Sequence, residues 1–176
     1  MNRFAIAGVL VVSAAHASPS YVAAGATAGD SFGQTLGGFY AGSVEGGHRL
    51  GHVLWLHAMV AEGGMVAIDG GGSTMSSNYL TVRIGSEARW CVLDGALCAL
   101  GGADVGYRHE RLAAQYDHYT DDRPIGVLRA GLDAGSSHVR FRPGLELSFG
   151  ADGAGTIGGR TGIDGIAAAA SVAYQW

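Results

Sequence analysis

Charges of both signs recur at even spacing through this chain. Arg140, Arg142 and Glu146 sit on alternate positions of an apolar stretch, and the same parity relates Arg83 to Glu87, Asp104 to Arg108 and Arg129 to Asp133. Residues an even number apart share one face of a strand, so each set projects to one side. With Glu45 they make one group of carboxylates and guanidiniums in similar numbers. Such groups can serve acid–base chemistry, an ion path or mutual neutralisation. Charges removed from water are tolerated when paired, and no unbalanced ring of one sign stands out, so the pattern reads as a structural network filling an interior.

Other candidates are less organised. His109, His118 and His138 could work with Ser136, Ser137 or Asp133, but none falls into a nucleophile motif, and Ser beside His in a turn is common turn chemistry. Asp117, His118, Asp121 and Asp122 could offer oxygen ligands to calcium, yet they lack EF-hand spacing and read as an acidic loop tip. Tyr116 and Tyr119 make that loop, around Tyr116 to Asp122, the best site for a surface ligand. Gly70 to Gly72 is followed by neither Lys nor a helix signal, so it is no phosphate loop. No cofactor and no metal is expected.

The elements that would position these groups are eight strands. They run from about Tyr21 to Ala28, Gly38 to Glu45, Val53 to Ala61, Tyr79 to Trp90, Ala99 to His109, Ile125 to Asp133, Val139 to Phe149 and Ile166 to Trp176. Gly46-Gly47, Asp94-Gly95 and Gly135-Ser136-Ser137 mark short turns. Longer connections follow strands one, three, five and seven, including 62–77 and 110–123. Asp94-Gly95 is a strong hairpin signal and sets a register. It places Leu80, Val82 and Ile84 opposite His109, Tyr107 and Val105 on an apolar face, and Arg83 diagonal to Asp104 on the other. The same register sets Cys91 opposite Cys98, at a separation that a disulfide tolerates.

Strand seven separates most cleanly, with Val139, Phe141, Pro143, Leu145, Leu147 and Phe149 against Arg140, Arg142, Gly144, Glu146 and Ser148. Pro143 cannot donate to a ladder and implies a bulge or an irregular pair. In strand three, Leu54, Leu56, Ala58 and Val60 are taken outward because His57 is costly in lipid. Trp55, Trp90, Tyr174 and Trp176 fall near one rim and Tyr40 and Phe149 near the other, as two aromatic girdles at membrane interfaces would.

Composition bounds the class. Glycine is the commonest residue at 31 of 176, there is no lysine, and the net charge is −4. No basic patch exists to displace counterions from phosphates, so nucleic acid is not an expected partner. Arg3, the apolar run Phe4 to Ala15 and the small-residue site Ala15-His16-Ala17 read as a cleaved signal peptide over 1–17. Residues 18–176 then form one exported domain, in a compartment that permits disulfides.

The last strand ties these readings together. Ile166, Ala168, Ala170, Val172, Tyr174 and Trp176 make an apolar face ending in aromatics, backed by Ala167, Ala169, Ser171, Ala173 and Gln175. In this the chain resembles the small outer-membrane β-barrels of Gram-negative bacteria, the OmpA transmembrane-domain, OmpX and OmpW group. The resemblance implies an all-β, eight-stranded antiparallel transmembrane β-barrel in the outer membrane, monomeric, with a filled lumen and a structural or surface-interaction role. It also implies contact with outer-membrane lipids and with the barrel-assembly machinery through the C-terminal strand. Some barrels of this size modify lipid A or phospholipid, so an acyl hydrolase is an alternative, though an enzyme is not the favoured reading. A soluble periplasmic lipocalin-like binding barrel is a third, distinguished by which face is apolar.

Overall fold

The computed structural model describes residues 19–31, 36–68, 74–113, 118–151 and 161–176. The expected signal peptide, and Tyr116 and Asp117 of the expected ligand loop, lie outside them. Eight antiparallel strands close into a barrel in sequence order: β1 Ser20–Ser31, β2 Leu36–Arg49, β3 Leu54–Ile68, β4 Thr74–Val92, β5 Leu97–Ala113, β6 His118–Gly135, β7 Val139–Ala151 and β8 Thr161–Gln175. Closure joins β1 to β8 from Tyr21↔Gln175 to Ser31↔Gly165. Trp176 and Ser20 exchange two backbone hydrogen bonds of 3.0 Å beyond the ladder. Each strand thus has a hydrogen-bonded neighbour on both sides, which is how a closed sheet satisfies its backbone without water.

Local chemistry explains the joints. The β4–β5 connection follows the register of Asp94-Gly95, with Leu80↔His109, Arg83↔Gly106 and Cys91↔Cys98 in line. Leu93, Asp94 and Gly95 all have positive φ, a conformation Asp and Gly tolerate and Leu resists. The ladder pair Val92↔Leu97 and the Cys91–Cys98 disulfide close the ends of this tight connection. At Pro143 the β6–β7 ladder loses two pairs, resuming in the same register between Gly131↔Gly144 and Ala134↔Phe141. An irregular pairing thus accommodates the missing N–H, while β8 keeps Pro143↔Ala170.

Three expectations are corrected. Gly46-Gly47 is not a turn: β2 continues to Arg49, and Gly47 lies opposite Tyr21. A Cβ at Gly47 would fall 2.2 Å from the Tyr21 ring, so this glycine makes room for a buried aromatic. The connections expected over 62–77 and 110–123 are largely strand, since β3 runs to Ile68, β4 begins at Thr74, β5 runs to Ala113 and β6 begins at His118. These strands exceed the roughly 9–11 residues needed to cross a bilayer. Their far halves are rich in Gly, Ser and acids and so resemble loop in sequence.

Side chains divide by parity around the whole barrel. Leu56, Val82, Ile84, Val105, Leu128, Leu132, Phe141, Leu145 and Val172 face outward and are exposed, Ile84 at 61% and Val105 at 65%. The charged residues of the same strands are mostly buried or half-buried, with Glu62, Arg111 and Asp122 exposed near the loop end. This arrangement is the inverse of a water-soluble barrel, in which the apolar set faces inward.

Candidate functional site

The interior is a column of ion pairs whose members come from alternate positions on facing strands. At its middle, Glu45 of β2, Glu87 of β4, Arg129 of β6 and Arg142 of β7 form a closed quartet. Arg142 reaches Glu45 Oε1 at 3.1 Å and Glu87 Oε2 at 2.5 Å. Arg129 reaches Glu45 Oε2 at 2.6 Å and Glu87 Oε2 at 3.2 Å. Each guanidinium therefore touches both carboxylates. The Tyr21 hydroxyl donates to Glu45 from β1. Such charge-assisted bonds offset the cost of removing these groups from water only because nearly every member is paired.

Toward the end that carries the short turns, the start of β1 and the end of β8, the column continues through Arg89, Asp133 and Arg140. Arg89 pairs with Glu87 at 2.5 Å and Asp133 at 3.2 Å, and its guanidinium stacks 3.9 Å from the Trp55 ring. Arg140 donates to the Asp133 carboxylate, and Asp133 is fully buried. Toward the opposite, loop end, Arg83 pairs with Glu146 at 3.0 Å and lies 3.8 Å from Asp104. Glycines leave space for these groups: a Cβ at Gly85 would sit 2.2 Å from Asp104 Oδ1, and one at Gly106 2.8 Å from Arg83 Cγ. Beyond Arg83, Arg108 approaches Asp164 at 3.8 Å, while Arg123 spans Glu110, Asp164 and Asp121 at 3.5, 3.6 and 3.8 Å.

Every residue of the sequence-derived charge set therefore lies in the lumen. Glu45, Arg83, Glu87, Asp104, Asp133, Arg140 and Arg142 are buried, and Arg108, Arg129 and Glu146 are half-buried. Sequence reasoning omitted Arg89, His57, Tyr21, Glu110, Arg123 and Asp164 from it. Arg89 shares the odd parity of Arg83 and Glu87, so its place was readable. Trp55 is corrected from girdle to lumen: it is 4% exposed, tilted against Tyr21 and covered by Arg89. Trp90, Tyr40, Tyr174 and Trp176 do face outward and are exposed, and Phe149 is half-buried.

Glu45, His57 and Glu87 could bring ligand atoms within 4.8 Å of one another. Arg129 already fills that position, with Nη1 2.6 Å from Glu45 and Nη2 2.7 Å from His57 Nε2 and 3.2 Å from Glu87. A guanidinium supplies the positive charge that a metal would bring. His57 Nε2 also meets Asp104 Oδ1 at 2.8 Å. Voids between these layers are small, about 60 Å³ at the quartet and about 30 Å³ near Tyr79, Thr81 and Arg83. Eight strands leave just this much room, and the side chains fill it.

The side chains of His118 and Tyr119 lie outside the described residues, and His109 and His138 do not assemble a nucleophile among those described. His109 Nδ1 meets Asp122 at 2.7 Å, but its Nε2 is approached by Arg111 Nε at 3.4 Å and not by a hydroxyl. Ser136 Oγ accepts from the backbone N–H of Val139 at 3.1 Å, as turn residues do. Asp121 and Asp122 belong to strand β6 and project to opposite faces, which removes them from a single loop-tip ligand set.

No protein-family model matches the sequence, and no curated protein does. Solved structures do match the fold. Neisserial surface protein A superposes with a TM-score of 0.66 at 8% identity, over 89% of this chain and 95% of that one. The N-terminal β-barrel domain of Pseudomonas aeruginosa OprF gives 0.59 at 14% identity, over 91% and 100%. Ail, the attachment invasion locus protein of Yersinia pestis, crystallised with the heparin analogue sucrose octasulfate, gives 0.52 at 9% identity, over 92% and 100%. The chain thus has the fold of the small eight-stranded outer-membrane barrels.

Proposed function

We propose that this protein is a monomeric outer-membrane β-barrel with a filled lumen, which holds its loop end at the cell surface in a structural or adhesion-like role. One observation carries the reading: the barrel is closed, its outward face is an apolar belt, and its charges are paired inside. Only a surrounding lipid makes that distribution favourable. The fold shared with surface protein A, OprF and Ail supports the same location. The short turns, the start of β1 and the end of β8 then face the periplasm. Residues 1–17 act as the cleaved signal, so the mature protein begins at Ser18, and the β8 strand ending in Trp176 engages the assembly machinery.

Surface contact, on this reading, involves segment 116–122 at the loop end. The charges described there are mixed and lean acidic, with Asp30, Glu62, Glu110, Asp121, Asp122 and Asp164 against Arg108, Arg111 and Arg123. This balance favours a partner that presents cations, in contrast to the heparin analogue bound by Ail. Fractionation followed by gel migration with and without heating tests the membrane reading. A heat-modifiable band in the outer-membrane fraction is expected, and recovery in the soluble periplasm would overturn it.

A further inference from the structure

At the turn end the lumen opens into a cavity of about 530 Å³, with Arg49, Trp55, Arg89, Asp133 and Arg140 among its lining and both cysteines on its wall. That volume falls in the range of small-molecule sites. The two sulfurs meet different surroundings. Cys91 is exposed to the opening, whereas Cys98 is only 3% exposed. Arg140 Nη2 donates to Cys98 Sγ at 3.5 Å, and among the described residues no side chain donates to Cys91. The guanidinium is fixed in place by the Asp133 carboxylate, by the Asp133 carbonyl at 3.0 Å and by the Ser136 carbonyl at 3.3 Å. Asp133, which stands opposite Cys98 in the ladder, is itself shared between Arg140 and Arg89. Its negative charge is therefore offset before it acts on the sulfur.

Exchange depends on which sulfur can be reached and on how well the other leaves as thiolate, and a neighbouring guanidinium favours the thiolate. Both conditions select the same direction here. We propose that Cys91–Cys98 is a thiol-exchange site for a small thiolate reductant entering through this mouth. The reductant's sulfur bonds to Cys91 Sγ as the Cys91–Cys98 bond breaks, and the electron pair leaves on Cys98 Sγ beside Arg140. A second thiol of the reductant, as thiolate, then attacks the reductant sulfur of the mixed disulfide and releases Cys91. Two electrons and two protons pass to the protein, and the dithiol becomes a disulfide.

The test uses the full chain folded in detergent micelles. Glutathione, a monothiol, forms the mixed disulfide transiently, before Cys98 re-closes the bond or a second glutathione resolves it, and peptide mapping after rapid acid quench should find it on Cys91 roughly tenfold over Cys98. Dithiothreitol should reduce the bond while the unheated protein keeps its folded gel migration. Arg140→Gln should slow that reduction roughly tenfold, and Arg140→Lys should restore part of the rate. Equal labelling of the two cysteines, reduction only after the barrel unfolds, or an unchanged rate in a folded Arg140→Gln variant would each overturn the proposal. If Arg140→Gln does not fold, glutathione mapping of the unsubstituted protein decides alone.

Discussion

The two ends of the lumen are built from the same residue types and held very differently. From the quartet to the turn end, the ion pairs close to 3.2 Å or less, the 3.8 Å approach of Arg142 to Asp133 aside, and Tyr21 and Trp55 stack on Arg89. At the loop end, Arg108 and Arg123 approach their acids at 3.5–3.8 Å. The difference teaches where the charges act as a brace. Glu45, Glu87, Arg129 and Arg142 link four strands across the barrel through short contacts, whereas Arg108 and Arg123 reach their partners on β5, β6 and β8 only through long ones.

Four variants test this contrast, ordered from the largest expected loss of stability down. Arg142→Met leaves Glu45 and Glu87 one cation short in a buried setting and should cost about 3–5 kcal/mol in urea unfolding from lipid vesicles. A near-neutral result would show that the quartet is not a brace. Leu145→Arg, on the apolar belt, should cost ~2–4 kcal/mol by the same measurement if that residue meets the bilayer midplane. The double substitution Cys91→Ser, Cys98→Ser removes a bond closing a seven-residue separation and should cost about 2–3 kcal/mol in the chain-entropy model. Unfolding of the reduced unsubstituted protein should give the same loss. Arg123→Gln, with its long contacts at the wetter end, should cost about 1 kcal/mol or less. A loss as large as that of Arg142→Met would erase the distinction between the two ends.

Much of the fold was legible in the sequence where one face of a strand meets lipid and the other meets the lumen. There the alternation is strict, as in Val139 to Leu147, and Asp94-Gly95 carried the register of a whole hairpin. Legibility fails where strands rise beyond the apolar belt. Glu62, Gly63 and Gly64 of β3 and Thr120 to Arg123 of β6 read as loop because polar and small residues replace the apolar set there. Residue type also misled at Trp55, since a Trp near a strand end suggests an interface while its parity places it against Arg89. Pairings such as Glu45 with Arg142 were out of reach for another reason. A strand's sequence tells which face a side chain takes, whereas the partner across the barrel depends on closure and shear.

The quartet also bears on the order of assembly. Its four members lie on β2, β4, β6 and β7, and contacts such as Arg129 to Glu45 and Arg142 to Glu45 join residues 84 and 97 positions apart. A partly inserted sheet that held β2 and β4 without β6 and β7 would carry Glu45 into lipid without its two guanidiniums and leave Glu87 with Arg89 alone. Partial insertion is thereby penalised, and the barrel gains its stability in a cooperative step when the late strands arrive.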